Sequence, residues 1–306
     1  MSADEQAQGR RRHYGEFYGL RPLPGDDGRA LLMVHGNCQS EALRVLLAQT
    51  DVYRTVRVPP VHEIEDDDLP HLARTLAAVR VLVTQPIKDD YRDLPVGTSQ
   101  VTAGLAGGAV VVPVPVIRYA GLFPFQALVR APPLGDPPVV PYHDLRTMVE
   151  AATGTRPATG AGAGAYREIE RASVAELARR EHDADSVVVS DLLRGAGADA
   201  ASTVNHPGNP VLRGLAERVL ERLGHRVEVP DPGRTLLNAV HTPLAADVLA
   251  ALELPDPARE TWTVAGEQID DDEVRDAQLR WYAEHDHVAP AGLHRHREAV
   301  AVLGLA

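Results

Sequence analysis

A single cysteine, Cys38, lies in the run Gly36-Asn37-Cys38-Gln39, directly after a short apolar segment and directly before a helical pattern. A thiol so placed reads as a nucleophile. Where a strand turns into a helix, the side chain emerges at the carboxyl edge of a sheet, and the ligand crevices of open α/β sheets lie along that edge. The N–H groups and dipole at a helix N-terminus favour the thiolate over the thiol. Gly36 lets the backbone turn sharply and approach a ligand closely. Asn37 and Gln39 flank the sulfur with amides that could donate to a developing oxyanion. The competing reading is a small buried hydrophobe, the common fate of a free cysteine. Three polar or backbone-permissive neighbours favour the nucleophile.

A thiol nucleophile needs a base, usually histidine. Of the 13 histidines, His62, His71, His182 and His225 lie in polar or helical contexts. His285 with His287, and His294 with His296, form His-x-His pairs at a helix end and in a charged tail. His206 stands apart, between Asn205 and Pro207, just ahead of a helical pattern. Pro207 holds it extended, and such a loop can project an imidazole into a cleft, with Asn205 beside it as a positioning group. The alternative is an ordinary loop leading into a helix, with Asn205 or Asn209 as the cap. His35 is closer in sequence, but as the last strand residue it is expected on the face opposite Cys38.

The elements that must hold these residues follow from periodicity. Strands are expected at 30–35, 55–61, 81–84 and 109–117, the last restricted by Pro113 and Pro115 to an edge or an irregular extension. Helical spacing covers 40–47 and 66–79, then 166–181, 211–223, 243–252 and 271–285; 186–193 reads as a strand or a short helix. Short apolar strands alternating with helices predict an α/β fold. Its core is a parallel, doubly wound sheet of the SGNH or flavodoxin-like kind, with extra helices and a helix-rich C-terminal part. Residues 1–28 read as a flexible N-terminal arm and 29–230 as the catalytic core, with a Gly/Ala-rich loop at 152–165. Residues 231–306 read as a helical extension packed on that core.

Composition narrows the function classes. The 306 residues carry a formal net charge of −12, which argues against a nucleic-acid or anionic-membrane binder. Aromatic residues at 4% leave few platforms for stacking bases. No apolar run is long enough to span a membrane, and the basic N-terminal residues lack the apolar stretch of a signal peptide; a cytoplasmic protein is expected. One cysteine cannot build a structural zinc site. The acidic runs Glu65–Asp68 and Asp270–Glu273 open helices, where carboxylates favour the dipole without a metal, so no metal is expected. Lys88 is the only lysine, which leaves arginine to carry any phosphate binding.

Several motifs together resemble one family. Val34-His35-Gly36-Asn37-Cys38-Gln39-Ser40 after a strand, Thr84-Gln85-Pro86-Ile87 with Tyr91, the stretch VPVIRYAGLFP at 114–124 and Asn205-His206-Pro207 occur in the order found in the WcbI family. That is a family of polysaccharide-biosynthesis acetyltransferases. The resemblance implies coenzyme A-dependent acyl transfer with Cys38 and His206 in the active site. It is also similar in logic to SGNH hydrolases, in which a nucleophile follows the first strand and a late histidine acts as base. Gln85 and Tyr91 follow a strand end and either line the same crevice or form a strand-terminating loop with a solvated tyrosine. Coenzyme A carries phosphates, so arginines should converge on the cleft; Arg118 and Arg130 flank the proline-rich segment and are candidates, with Tyr119 beside Arg118 as a further substrate contact.

The expected function is cysteine-dependent transfer of an acyl group, acetyl first, from a thioester such as acyl-coenzyme A to a hydroxyl or amine. The acceptor is a saccharide or a small specialised metabolite, and a carrier-protein thioester is a second donor class. A cysteine thioesterase uses the same nucleophile and base, and a non-catalytic nucleotide- or sugar-binding module is the reading from another class. A homo-oligomer is compatible with all three.

Overall fold

In the computed structural model, which describes residues 3–25, 27–129, 134–157 and 160–305, the chain divides into two units that it threads three times each. The first comprises 1–116, 178–192 and 209–236; the second comprises 117–177, 193–208 and 237–306.

The first unit runs from helix α1 (Ala3–His13) through strand β1 (Leu31–His35), helix α2 (Cys38–Ala48), strand β2 (Arg54–Val56), helix α3 (Leu69–Ala78) and strand β3 (Val81–Thr84) to helix α4 (Thr98–Ala103) and strand β4 (Val110–Pro113). The four strands are parallel, in the order β2-β1-β3-β4. Every residue of β1 and β3 is buried, as strands covered on both faces must be, and this is why they read as unbroken apolar runs. Leu31, Met33, Val56 and Leu82 share a core with Leu72 and Leu76 of α3. Helix α2 packs on β1 and on the helix Asn209–Arg222, burying Leu43, Leu46 and Leu47 at about 1.5–3 kcal/mol for each side chain. β4 is an edge strand, where Pro113 costs no ladder bond.

This order has one topological switch point. The chain leaves β1 toward β2 on one side, and the strands that follow lie on the other, so the crevice opens between the carboxyl ends of β1 and β3.

Several expectations are corrected. Residues 1–28 are not simply an arm: α1 forms, Phe17 and Tyr18 are buried, and the ion pair from Arg10 to Asp68 spans 2.7 Å. The Tyr18 hydroxyl donates to the same carboxylate at 2.7 Å. Two aromatic anchors outweigh the polar composition around them. The expected strand at 55–61 shortens to Arg54–Val56 because Pro59 and Pro60 follow closely. Residues 186–191 take neither helix nor strand.

The second unit holds two small antiparallel ribbons, β5 (Gln126–Ala127) with β6 (His143–Asp144), and β7 (Ala201–Thr203) with β8 (His206–Pro207). Helix α5 (Leu145–Thr153) is capped by the Asp144 carboxylate, which accepts from the Arg146 and Thr147 N–H groups, and ends at Gly154 with φ of 74°. Helix α6 (Ala163–Asp183) begins beyond the Gly/Ala stretch. The C-terminal third is not an appendage. Its helices Asp271–Glu284 and Val288–Arg295 pack on α5, and Tyr282, Val288 and Val248 share one core with Met148 and Tyr166. A three-stranded antiparallel sheet of Val240–His241, Trp262–Val264 and Glu267–Ile269 completes the unit.

Candidate active site

Cys38 is the first residue of α2 and is half-buried. Its place is set by its neighbours. Asn37 is the N-cap: its Oδ1 accepts from the Gln39 N–H at 2.9 Å, and its carbonyl accepts from the Ser40 N–H at 2.9 Å and the Ser40 hydroxyl at 2.6 Å. The Gly36 carbonyl accepts from the Val61 N–H at 2.8 Å. The turn carrying the thiol is therefore tied to the chain on both sides.

Gln85, at the end of β3, reaches across the switch point. Its Oε1 accepts from the Asn37 N–H at 2.9 Å, and its Nε2 donates to Gln39 Oε1 at 3.2 Å and to the Pro115 carbonyl at 3.4 Å. It is 3% exposed, so it positions the cysteine turn from beneath. The reason for glycine at 36 also differs from the expected one. Gly36 does not adopt positive φ; a Cβ there would sit 2.8 Å from Gln85 Cδ and 3.0 Å from Gln85 Cγ. We expect Gly36→Ala to push the Gln85 amide off Asn37, lowering stability by about 1–3 kcal/mol and lowering activity beyond what lost stability explains. Urea melts alongside initial rates check both, and an unchanged rate would contradict this role of Gln85.

The backbone N–H groups of Asn37 and Gln39 are thus both committed, the first to Gln85 and the second to the Asn37 cap. Gln39 is buried with its Oε1 facing Gln85. His35 is 1% exposed, with Nε2 donating to the Val96 carbonyl at 2.9 Å; it holds the loop before α4. Tyr91 is partly buried against the core of the first unit and forms an isolated bridge with Leu94.

In the second unit, His206 sits on β8, its backbone paired opposite Thr203. Gly208 just beyond it is explained by close approach: a Cβ would lie 3.0 Å from the Asp199 carbonyl carbon, while the Gly208 N–H donates to the Ala200 carbonyl at 2.9 Å. The Tyr142 ring stands edge-on to the imidazole, 6.4 Å between centroids. The Tyr142 hydroxyl donates to Asn205 Oδ1 at 2.8 Å, and Thr203 Oγ1 donates to it at 3.1 Å. Asn209 turns its side chain to another segment: its Oδ1 accepts from the Leu236 N–H and its Nδ2 donates to the Arg234 carbonyl.

Burial, with a smaller contribution from His241, pushes the His206 pKa down to about 4. The imidazole is therefore neutral at neutral pH, the state a base requires. Burial does the same to His143, also to about 4. In the unfolded chain both would titrate near 6.5. Between about 4 and about 6.5 the unfolded chain binds more protons, so stability present above pH 6.5 is lost as the pH falls through that window. We expect an acid-induced loss on the order of 2–3 kcal/mol for each of these two histidines. Denaturant melts at pH 7 and pH 4.5 read it; equal midpoints would contradict the burial of these rings.

Arg118 is exposed, whereas Tyr119 is 3% exposed and its N–H donates to the Val204 carbonyl at 2.8 Å, two residues from His206. Arg130 lies outside the described residues. Among the described residues no three His, Cys, Asp or Glu side chains gather as a metal-ligand set, and no helix is long and apolar enough to cross a membrane. Gln126 and Tyr142 were not singled out by sequence. Gln126 Oε1 accepts from the Val204 N–H at 2.6 Å and its Nε2 donates to Thr242 Oγ1 at 2.8 Å, fixing the turn before His206; no local motif marks a residue this far away in sequence.

A parallel α/β sheet with a half-buried cysteine at its switch point defines an enzyme-like class of fold and site. The sequence model of the WcbI family, described as polysaccharide biosynthesis enzyme WcbI, matches residues 31–228, and the chain belongs to that family. The match spans Cys38, Gln85, Tyr119 and His206. A solved structure of a WcbI polysaccharide biosynthesis enzyme aligns with a TM-score of 0.76 at 18% identity, covering 90% of this chain and 98% of that one. It is described as the native protein without a disulfide bond between coenzyme A and one of its cysteines. No curated protein sequence matches the chain.

Proposed function

We propose that this polysaccharide-biosynthesis enzyme is a cysteine-dependent acyltransferase that takes an acyl group, acetyl first, from a coenzyme A thioester and passes it to a hydroxyl or amine of a saccharide or related metabolite. The observation that carries the reading is the placing of Cys38. It is a half-exposed thiol at the first position of a helix, beside the switch point of a parallel sheet, held by Asn37 and Gln85. The similarity to a protein whose cysteine is named together with coenzyme A supports the donor class.

In this reading His206, neutral at neutral pH, takes the proton from the Cys38 thiol as the sulfur attacks the thioester carbonyl. The C–S bond to coenzyme A breaks, the coenzyme leaves as its thiol with that proton, and the acyl group stays on Cys38. The Asn37 side-chain amide stabilises the oxyanion. An acceptor hydroxyl or amine then gives its proton to His206 and displaces the sulfur, and His206 returns that proton to the Cys38 thiolate.

Release of coenzyme A from acetyl-coenzyme A, measured with and without a panel of nucleotide sugars and free sugars, tests the reading. Release stimulated by one acceptor, with an acylated product of matching mass, supports the transferase. Release at one rate whatever the acceptor makes the protein a thioesterase, and no release from any thioester contradicts the enzyme reading.

A further inference from the structure

Within the second unit a cavity of about 340 Å³ opens beside Tyr119, a size within the range of small-molecule sites. Its lining includes Arg167, Arg171 and Arg194, with Glu170 and Glu253 as the acidic members. Glu170 is buried and already neutralised, gripped by Arg194 through Nε at 3.1 Å and Nη2 at 2.7 Å. Arg167 and Arg171 lie one turn apart on α6 and are exposed. Arg167 spends one N–H on the Ala251 carbonyl at 3.2 Å, and Arg171 pairs with Glu168 outside the cavity. Three guanidinium groups thus line one cavity in a chain whose net charge is −12.

A second feature points to a ligand. Tyr119 is 97% buried as a residue, at 3% exposure, and lines this cavity. Among the described residues none hydrogen-bonds its hydroxyl, although buried tyrosine hydroxyls usually find a partner. Space for the ring is built in: a Cβ at Gly121 would lie 2.5 Å from Tyr119 Cζ and Oη. The hydroxyl is thus a donor with no acceptor among the described residues, at the wall of an arginine-lined cavity.

We infer that this cavity binds the phosphoryl group of an organic phosphate, with Arg167 and Arg171 as the charged fork and the Tyr119 hydroxyl as an added donor. Guanidinium groups match phosphate oxygens in paired hydrogen bonds. The inference extends the proposed function, because a coenzyme A donor and a nucleotide-sugar or sugar-phosphate acceptor both carry phosphate. The chemistry is shared between them, and the experiment separates the sources.

Isothermal titration calorimetry of the full chain with coenzyme A, with a hexose 1-phosphate and with inorganic phosphate is the test, on the wild type, Arg167→Gln/Arg171→Gln and Tyr119→Phe. Both arginines are exposed, so the double variant is expected to fold, and circular dichroism checks that. The expected result is a Kd raised about tenfold or more in the arginine variant, and a smaller rise in Tyr119→Phe, for at least one organic phosphate. If only coenzyme A is affected, the cavity serves the donor; if only the hexose phosphate is, it serves the acceptor. Unchanged affinities for every probe, or no saturable binding of any, would overturn the site. Cys38→Ser keeps the two readings apart: phosphate binding that survives in an inactive protein leaves the cavity standing, even where acyl transfer fails.

Discussion

Cys38→Ala is expected to lose the proposed acyl transfer, with kcat/KM falling by on the order of 10³–10⁶, while the protein keeps its fold. The separation of the two effects follows from the geometry. The turn is held by bonds of the Asn37, Gln39, Ser40 and Gln85 backbone and side chains. Alanine at the first position of a helix is well tolerated, so the melting midpoint should move by no more than a surface-like substitution does, about 0.5–1 kcal/mol. A binding module predicts the reverse, unchanged function after the same substitution. Rate and thermal melt measured on one preparation distinguish them: full activity in Cys38→Ala removes the nucleophile from the mechanism.

The second large effect is at His206. Asparagine fits the β8 position and leaves the pairing opposite Thr203 in place, yet cannot accept a proton at neutral pH. A base removed in this way costs on the order of 10²–10⁴ in kcat, with the KM for the thioester changing little. The wild-type pH profile carries a linked expectation. Because burial pushes the His206 pKa down to about 4, its neutral form persists far below pH 6.5, and the acid limb of kcat/KM falls near pH 4. An acid limb at 6.5 or above would point to a different, solvated base.

The parallel core was legible because its strands are buried on both faces. Leu31 to Val34 and Val81 to Val83 could not be anything but apolar there, and the prolines after Val112 marked the edge strand. The cysteine turn was legible for the same reason, since a strand, a glycine and an N-cap leave a local signature. What sequence hid was long-range. Gln85 acts on a turn 48 residues away, and Gln126 on one 78 residues away, through bonds that no spacing rule encodes. The reason for Gly36 was misplaced for that cause: local logic offers a sharp turn, whereas the structure shows a side chain pressed against its Cα. The N-terminal helix was hidden by composition, because Phe17 and Tyr18 sit among polar residues and bury themselves against α3 rather than in a local pattern. The second unit was missed as a unit because 117–177, 193–208 and 237–306 share a core only in three dimensions.

The most direct measurement is the intact mass of the protein after brief incubation with acetyl-, propionyl- and malonyl-coenzyme A, without acceptor, followed by peptide mapping. One added acyl group is expected, on Cys38, absent from Cys38→Ala and released when a competent acceptor is supplied. An adduct that maps elsewhere and persists in Cys38→Ala would contradict it. So would thioester turnover that Cys38→Ala carries out at the wild-type rate.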